Sequence, residues 1–357
     1  MVCGTRPELI KLAPLLRFFG DACDVVYTGQ HHDRSLYSLI RADLPSPKRF
    51  HELAVGSARR GVQLGRAVSA VDEVLLTHPG RVVLVQGDTT SALAGALAAN
   101  AHGLPLVHVE AGLRSRDRSM PEEHNRVLID HLADLCCAPT DLNRRNLLAE
   151  NIPSERVAVT GNTVVEALRT ALPAAEERAS VLAARGLVRD EYILATIHRP
   201  ENVDDPRRLA AVLQELGELP LPVVFPLHPR TAKSVERFGL TRLLQPLRVL
   251  DPQAYPAFLA LAAEAAVIVS DSGGIQEEVS VLKRPVVVVR RSTERPEITG
   301  TFGVLVPAGP RIGAEVALWL DDVAGHRERL RRIPSPYGDG SACRRIAEAI
   351  ERVLQPA

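Results

Sequence analysis

Short apolar runs alternate with longer amphipathic stretches along most of the chain. The apolar runs are too short to form helices and are rich in branched residues, so each predicts a buried strand of a parallel sheet. In the first half these runs are residues 24–28, 81–86, 104–109, 133–138 and 157–160. In the second half they are residues 192–197, 222–227, 248–250, 266–270, 285–289 and 303–306. Amphipathic helices are predicted between them, for example at 8–19, 61–76 and 91–101.

This alternation predicts an α/β protein with two doubly wound, Rossmann-like domains that face a cleft. The length of 357 residues fits two domains better than one. An Ala-rich helix and an Arg/Glu-rich segment separate the two series of strands around residues 162–190. We therefore predict an N-terminal domain over residues 1–165 and a C-terminal domain over 166–340. The last segment, 341–357, begins with a helix that we expect to join the N-terminal domain.

The composition excludes some partners. The formal net charge is zero and the pI is about 7.2, which gives no electrostatic reason to expect nucleic acid or an anionic membrane as a partner. The sequence shows no long apolar span and no signal peptide, so we expect a cytoplasmic protein. The five cysteines lack the spacing of metal ligands, and we expect them to be small buried residues.

The stretch AVIVSDSGGIQEE at 266–278 predicts a strand, a glycine-containing turn and a helix. Such a turn presents backbone N–H groups and the positive end of the helix dipole to a phosphate, and its glycines allow close approach. Glu278, one turn into the helix, is a candidate partner for a ribose hydroxyl. The alternative is an ordinary tight turn that binds no ligand.

Ionisable residues follow four of the predicted strands. Asp88 and Glu110 come after two strands of the first half, and His198 and Asp271 after two strands of the second half. In open parallel sheets, ligands bind outside the carboxyl ends of the strands. We therefore expect these side chains to carry the chemistry.

The carboxylates have structural alternatives. Asp88 can serve as the N-cap of the helix that follows it. Glu122 lies in the possible capping box Ser119-x-x-Glu122, and Pro121 suits the first position of a helix. For Glu110, which follows a fully apolar strand, a structural role is harder to justify because a buried carboxylate needs a partner.

The predicted first helix carries cations near its start. Arg6 and Lys11 are unfavourable for the helix dipole there unless an anion lies close by. We therefore expect an anion near these two side chains.

Nine short motifs occur in order over residues 3–297. They are CGTRPELIKLAP at 3–14, TGQH at 28–31, QGDTTS at 86–91, HVEAGLR at 108–114, PEEHNR at 121–126, GNTV at 161–164, TIHRPEN at 196–202, DSGGIQEE at 271–278 and TERPE at 293–297. Together they resemble the non-hydrolysing UDP-N-acetylglucosamine 2-epimerase family.

The resemblance implies a glycosyltransferase-B-like fold and a role for each matching position. The implied catalytic residues are Asp88, Glu110, Glu122 and His198. The implied contacts to UDP and the sugar are Arg6, Lys11, His198, Gln253, Phe258, Ser272, Gly273, Gly274, Glu278 and Arg295. Gln253 and Phe258 match the segment that holds uracil, and Glu278 matches the ribose contact. A possible allosteric site would comprise Gln30, His31, Arg59 and His228.

The activity implied by the resemblance is reversible C2 epimerisation of UDP-N-acetylglucosamine to UDP-N-acetylmannosamine. UDP is eliminated to give a 2-acetamidoglucal and is then added back, with the C2 proton returned on the opposite face. This chemistry requires groups that stabilise the departing diphosphate and two acid/base groups on opposite faces of the sugar. Which carboxylate serves which face stays open. No cofactor and no metal is implied, and the expected partners are a UDP-sugar and a second copy of the chain in a homodimer.

Three features depart from the family pattern. The chain starts at Met1-Val-Cys-Gly-Thr, so we expect either a start assigned too late or a sheet that lacks one short strand. His32 and Asp33 differ from the pattern of members that bind an activating UDP-sugar. Residues 116–120 form a short, arginine-bearing version of the loop before Glu122, which would suit another sugar such as a diacetamido-uronic acid.

Three other functions remain open. A UDP-sugar-dependent glycosyltransferase of the same fold would need an acceptor site and often has a basic apolar membrane patch, which the first half lacks. A silent nucleotide-sugar-binding protein would have lost some of the four catalytic positions, and none is missing. A hydrolysing 2-epimerase that releases free N-acetylmannosamine is the nearest alternative.

Overall fold

Two parallel sheets organise the chain in the computed structural model, which describes residues 1–29, 49–78 and 80–354. The sheets belong to two units. Unit 1 comprises Met1–Ala167 and the C-terminal segment from Tyr337 onward, and unit 2 comprises Leu168–Pro336.

Unit 1 contains a seven-stranded sheet. Its strands are β1 (Val2–Cys3), β2 (Asp24–Tyr27), β3 (Arg49–Glu52), β4 (Val83–Gln86), β5 (Leu106–Val109), β6 (Leu135–Ala138) and β7 (Val157–Val159). They pair in the order β3-β2-β1-β4-β5-β6-β7, and every pairing is parallel. The first strand, β1, lies inside the sheet, and β2 and β3 are added in turn toward one edge. The chain then returns to pair β4 with β1, and β5, β6 and β7 are added toward the other edge. The point between β1 and β4 is where ligands bind in folds of this type.

The helices of unit 1 cover both faces of this sheet. They are α1 (Arg6–Phe19), α2 (Arg60–Thr77), α3 (Thr90–Ala101), α4 (Pro121–Leu132), α5 (Asp141–Ala149) and the C-terminal α15 (Ala342–Leu354). Alternate residues of β4 enter different cores: Val83 and Val85 pack in one, whereas Leu84 packs in the other. This two-sided burial explains why the strands of the sequence are almost wholly apolar.

The C-terminal helix α15 belongs to the core of unit 1. Its Ile346 and Ile350 are buried in the same cluster as Leu9 and Leu12 of α1. The backbone N–H of Cys343 also donates to Glu166 Oε1 at 2.9 Å. Full burial of one such aliphatic side chain contributes about 1.5–3 kcal/mol, so this helix stabilises the helix that carries Arg6 and Lys11.

Unit 2 repeats the same topology with six parallel strands. They are β8 (Ile193–Thr196), β9 (Val223–Pro226), β10 (Arg248–Leu250), β11 (Val267–Ser270), β12 (Val286–Val289) and β13 (Gly303–Val306). Their order is β10-β9-β8-β11-β12-β13, so the winding reverses between β8 and β11.

The helices of unit 2 alternate with its strands. They are α7 (Ala175–Ala183), α8 (Pro200–Val203), α9 (Pro206–Gly217), α10 (Pro229–Arg237), α11 (Tyr255–Glu264), α12 (Gly273–Leu282), α13 (Arg311–Leu320) and α14 (Val323–Arg332). The boundary between the two units falls inside α6 (Val164–Ala171). Within the described ranges, no helix has the length and apolarity needed to cross a membrane.

The predicted α/β class with two doubly wound parallel sheets is confirmed. Of the two alternatives for the start of the chain, a sheet that lacks one short strand is wrong, because Val2 and Cys3 form the short central strand β1 and pair with β2 and β4. Strand β3 was not predicted, since its sequence RFHE is polar and partly exposed. It lies at an edge of the sheet, where charged residues are common.

Candidate active site

Asp88 lies at the carboxyl end of β4, directly after Gly87. Its Oδ2 accepts from Arg126 Nε at 2.8 Å, and the side chain keeps a quarter of its surface exposed. The N-cap of α3 is Thr89, whose Oγ1 accepts from the backbone N–H of Ala92 at 3.0 Å. The capping alternative for Asp88 is therefore wrong, and Arg126 anchors a carboxylate that solvent can reach.

Glu110 lies at the carboxyl end of the neighbouring strand β5 and is buried. Its Oε2 accepts from Lys11 Nζ at 2.5 Å, from Gln86 Nε2 at 2.7 Å and from Asn162 Nδ2 at 3.2 Å. The backbone at Glu110 has φ of +71°, which is unusual for a residue other than glycine. Strained backbone with a well-held side chain is typical of active sites. Lys11, predicted to meet the diphosphate and sugar, has its ammonium group on this carboxylate.

The anion expected near Arg6 and Lys11 stays a prediction, and the carboxyl group that caps the start of the first helix is that of Glu8. It accepts from the backbone N–H groups of Gly4 at 3.0 Å and Thr5 at 2.8 Å, and from the hydroxyls of Thr5 at 2.7 Å and Thr89 at 2.6 Å. Helix α1 begins at Arg6 with Thr5 as N-cap, and Thr5 and Glu8 form a capping box. Glu8 thus ties the loop after β1 to the loop after β4. The Thr5-x-x-Glu8 spacing could have identified it.

Glu8 should give the protein a pH-dependent stability. Burial raises its pKa from 4.5 to about 7, against the hydrogen bonds that lower it. The folded state then holds a proton that the unfolded state releases, so the free energy of unfolding falls as pH rises from about 5 to 8, by about 2–3 kcal/mol. Glu8→Gln should remove this slope. Urea unfolding of both proteins at several pH values measures it, and parallel curves would contradict the assignment.

Glu122 lies in the first turn of α4 and is partly exposed. The N-cap of this helix is Met120, and Ser119 instead bonds Asp117 Oδ1 at 2.6 Å. The capping-box alternative for Glu122 is therefore wrong. In the described part of the chain its carboxylate has no hydrogen-bond or ion-pair partner, which leaves it available to a ligand.

The structural role falls to the next residue, Glu123. Its carboxylate accepts from the backbone N–H groups of Ser115 at 3.0 Å and Arg116 at 2.8 Å, and from Arg126 Nη1 at 2.5 Å. Burial opposes ionisation, but these donors hold the pKa of Glu123 below its usual value. Arg126 therefore links Glu123 to Asp88, a connection that the sequence did not reveal.

In unit 2, helix α12 begins at Gly273 with Ser272 as N-cap. A Cβ atom at Gly274 would meet only Ser272 Oγ, at 3.9 Å, so the space beside this backbone is open. A Cβ atom at Gly273 would lie 2.7 Å from Arg295 Nη1, 3.0 Å from Glu294 Oε1, which pairs with Arg295, and 3.3 Å from Arg199 Nη2. The free N–H groups of the helix and two guanidinium groups thus converge, which is the arrangement of an anion site.

Buried carboxylates hold the arginines of this site. Arg295 donates from Nε to Glu277 Oε1 at 2.7 Å and also bonds Glu294. Glu294 Oε2 in turn accepts from Arg290 Nη2 at 2.8 Å. All four side chains are buried. Glu277, Glu294 and Arg290 were missed because a sequence does not tell which distant charges pair.

His198 follows β8 and is ordered by Asp271. The fully buried carboxylate of Asp271 accepts from the backbone N–H groups of His198 and Arg199 at 2.9 and 2.8 Å. Burial lowers the pKa of the His198 imidazole, against the opposing effect of Asp271. Its ring lies 5.2 Å from that of His228, whose Nδ1 accepts from the backbone N–H of Arg230. The ring of His198 is thus predominantly neutral at neutral pH.

The predicted nucleoside contacts lie on and around α11 and α12. The hydroxyl of Tyr255 donates to Glu278 Oε1 at 2.8 Å. Gln253 Oε1 accepts from Arg185 Nη2 at 2.9 Å, and Phe258 is partly buried in α11. Glu278 therefore already acts as an acceptor for a hydroxyl group.

A family model described as UDP-N-acetylglucosamine 2-epimerase matches residues 21–351 of the chain. The chain belongs to the UDP-N-acetylglucosamine 2-epimerase family. It is 36% identical to the UDP-N-acetylglucosamine 2-epimerase of Methanocaldococcus jannaschii over 98% of both chains. It is 35% identical to the UDP-2,3-diacetamido-2,3-dideoxy-D-glucuronate 2-epimerase of Pseudomonas aeruginosa over 99% of both chains.

A solved structure of this epimerase family has the same fold. The M. jannaschii enzyme in complex with UDP-GlcNAc and UDP superposes with a TM-score of 0.85 at 36% identity, over 98% of both chains. The family and the enzyme class, an isomerase, agree with the predictions from the nine motifs.

The residues predicted for an allosteric site of the epimerase family are distributed over both units. Gln30 and His31 lie outside the described residues. Arg59 is the exposed residue before α2 in unit 1, and His228 is the N-cap of α10 in unit 2. The role of these four residues stays a prediction.

Proposed function

We propose that the protein catalyses the reversible C2 epimerisation of UDP-N-acetylglucosamine to UDP-N-acetylmannosamine. The observation that carries this proposal is the set of three carboxylates in unit 1, two of them at adjacent strand ends. Asp88 and Glu110 are each held by a cation, and Glu122 is left available on α4. Elimination of UDP from the sugar and its re-addition require acid/base groups of this kind and do not require an electron acceptor.

In the forward reaction a carboxylate removes the C2 proton, the electrons of the C2–H bond form the C1–C2 double bond, and the C1–O bond breaks. UDP leaves with the electron pair of that bond. Re-addition of UDP to the 2-acetamidoglucal, with a proton delivered to the other face of C2, gives the epimer. Asp88, Glu110 and Glu122 are proposed for the two proton transfers. Lys11 is proposed to hold the carboxylate of Glu110 in position for a proton transfer.

Unit 2 is proposed to bind the UDP portion. The N–H groups of residues 272–274 and the guanidinium of Arg295 would stabilise the charge that develops on the diphosphate, as preorganised donors do. A neutral His198 can donate one hydrogen bond to a diphosphate oxygen without adding a charge. Glu278 is proposed to accept from a ribose hydroxyl, and Gln253 and Phe258 are proposed to hold the uracil. From unit 1, Arg6 is proposed to contact the diphosphate.

A second candidate substrate is a UDP-diacetamido-uronic acid. Two observations favour it: the P. aeruginosa relative of that name, and an exposed arginine at position 116, close in sequence to Glu122. The backbone of Arg116 has φ of +58°, and its N–H donates to the carboxylate of Glu123. The point at which the side chain leaves the backbone is therefore fixed. A uronate carboxylate would pair with it. In that case Arg116→Ala would impair turnover of the uronate and leave UDP-N-acetylglucosamine turnover unchanged.

Proton NMR of each UDP-sugar with the purified protein and a chelator tests the proposal. We expect UDP-N-acetylmannosamine to appear and to reach an equilibrium with UDP-N-acetylglucosamine from either side. Free N-acetylmannosamine without a UDP-linked epimer would identify a hydrolysing enzyme. Turnover only after an acceptor is added would identify a transferase. No turnover combined with UDP binding would identify a silent binding protein. The homodimer and the cytoplasmic location remain predictions of the same proposal.

A further inference from the structure

His108 and Asp130 form a buried pair in unit 1, the unit that carries Asp88, Glu110 and Glu122. His108 lies on β5 and Asp130 near the end of α4, and both side chains are fully buried. His108 Nδ1 and Asp130 Oδ1 are 2.6 Å apart. The proposed reaction gives neither residue a direct role, although two fully buried titratable groups are costly unless their contacts compensate.

Both ring nitrogens of His108 face acceptors. Nδ1 faces the carboxylate of Asp130, and Nε2 lies 2.8 Å from the carbonyl oxygen of Gly87. A neutral imidazole has one N–H group and can donate only one of these bonds. The bond to Gly87 requires a hydrogen on Nε2, and the contact of Nδ1 with Asp130 holds the other side of the ring.

The bond to Gly87 acts directly on the loop that carries Asp88. Gly87 has φ of +69° and immediately precedes Asp88. The position of this peptide group sets the direction in which the Asp88 side chain leaves the backbone. Asn125 of α4 holds the next peptide, since its Nδ2 donates to the carbonyl oxygen of Asp88 at 2.8 Å.

The second oxygen of Asp130 acts on the loop that carries Glu110. Oδ2 accepts from the backbone N–H of Gly112 at 3.2 Å and pairs with Arg114 Nη2 at 2.8 Å. Gly112 has φ of +80°, and a Cβ atom there would lie 2.4 Å from the carbonyl oxygen of Asn143. The turn after Glu110 is therefore packed closely as well as hydrogen-bonded.

We propose that His108 and Asp130 are positioning residues for the epimerisation, an inference that rests on the proposed function. One buried carboxylate on α4, the helix that begins beside Glu122, fixes the loop of Asp88 through His108 and the loop of Glu110 through Gly112. Two candidate acid/base groups, Asp88 and Glu110, thus share one internal anchor on the helix that also carries Glu122. Misplacement of reacting groups by about 1 Å can cost about 10²-fold in rate, which is the scale of effect this anchor would protect.

Two substitutions of His108 separate positioning from stability. The side-chain nitrogen of His108→Asn replaces Nδ1 and keeps the bond to Asp130, whereas that of His108→Gln replaces Nε2 and keeps the bond to Gly87. Both variants lose the same imidazole ring. A purely structural pair would make both variants less stable and leave the turnover of the folded fraction unchanged.

We expect His108→Asn to lower kcat by about 10²-fold, with KM and UDP affinity unchanged. His108→Gln should recover about tenfold of this loss, the value of one restored hydrogen bond to the loop. Amide hydrogen exchange at residues 87–89 should accelerate in the Asn variant and much less in the Gln variant. The matched control is His102→Asn, which breaks a partly exposed His–Asp pair of 2.9 Å on the same unit and should change neither kcat nor exchange.

Nitrogen-15 NMR of the histidine rings in the wild-type protein checks the proposal without relying on a variant's folding. Nε2 of His108 should carry a hydrogen that is bonded to the carbonyl oxygen of Gly87, and an Nε2 without a hydrogen would overturn the proposal because the link to the Asp88 loop would be absent. Wild-type kcat and wild-type exchange in His108→Asn would also overturn it. Failure of the wild-type protein to epimerise either UDP-sugar would instead refute the proposed function, while the exchange and ring data would still decide whether the pair fixes the two loops.

Discussion

Asp88→Asn, Glu110→Gln and Glu122→Gln should each lower kcat by about 10²–10⁴-fold, the usual contribution of a general acid or base. Their affinity for UDP should stay close to that of the wild type, because all three act on the sugar. Turnover assays and calorimetric titration with UDP measure the two quantities. The matched control is Glu155→Gln, an exposed carboxylate of unit 1 that precedes β7 and so lies away from the carboxyl ends of the strands, and it should leave kcat unchanged.

Glu110→Gln needs one further control because its carboxylate is buried against Lys11. Loss of one partner of a buried ion pair commonly costs about 3–5 kcal/mol, since the other charge remains without compensation. The double variant Lys11→Met/Glu110→Gln removes both charges and should regain most of this stability. If it also regained turnover, Glu110 would be a structural partner of Lys11 and not an acid/base group. Wild-type kcat in Glu122→Gln would likewise remove Glu122 from the proposed mechanism.

The second large effect is expected at the start of α12. Gly274→Val should lower UDP affinity by about 10²-fold or more, because the side chain blocks the approach of phosphate to backbone N–H groups. Two hydrogen bonds to a charged group contribute about 3–6 kcal/mol, and about 1.4 kcal/mol corresponds to a tenfold change. The fold should tolerate the substitution, since only Ser272 Oγ lies within 4 Å of the new Cβ atom.

A matched control exists in unit 1. Gly61 is also the second residue of its helix and also has open space at the Cβ position. Gly61→Val should therefore change the intrinsic stability of its helix as much as Gly274→Val does and leave UDP affinity unchanged. Calorimetry showing wild-type UDP affinity in folded Gly274→Val would contradict the assignment of this helix start as the diphosphate site.

The central strands could be predicted because they are buried on both faces, whereas the edge strand β10 is largely exposed and was predicted all the same. For β10 and β13 the predicted bounds match those of the structure. The other predicted strands are slightly longer than the observed ones. Two strands of unit 1, β1 and β3, were not predicted. Strand β3 is polar and lies at an edge, and β1 has only two residues, which is too short for any apolar pattern.

The candidate residues could be predicted, but not the contacts that hold them. Asp88 and Glu110 were found from their positions after strands, whereas their partners Arg126 and Asn162 lie far away in the sequence. Their pairing depends on the folded topology. The capping alternatives illustrate the same limit, because Asp88 and Thr89 are both residue types that commonly serve as N-caps. Only the geometry of the helix start distinguishes the two.

Epimerisation in deuterated water tests the central claim most directly. If UDP is eliminated and added back, the C2 proton leaves and is replaced, so the product UDP-N-acetylmannosamine should carry deuterium at C2. Long reactions should also release some UDP and 2-acetamidoglucal. Proton NMR follows the C2 signal and the by-products in one experiment. Full retention of the C2 proton throughout a completed epimerisation would contradict the elimination route and the roles proposed for Asp88, Glu110 and Glu122.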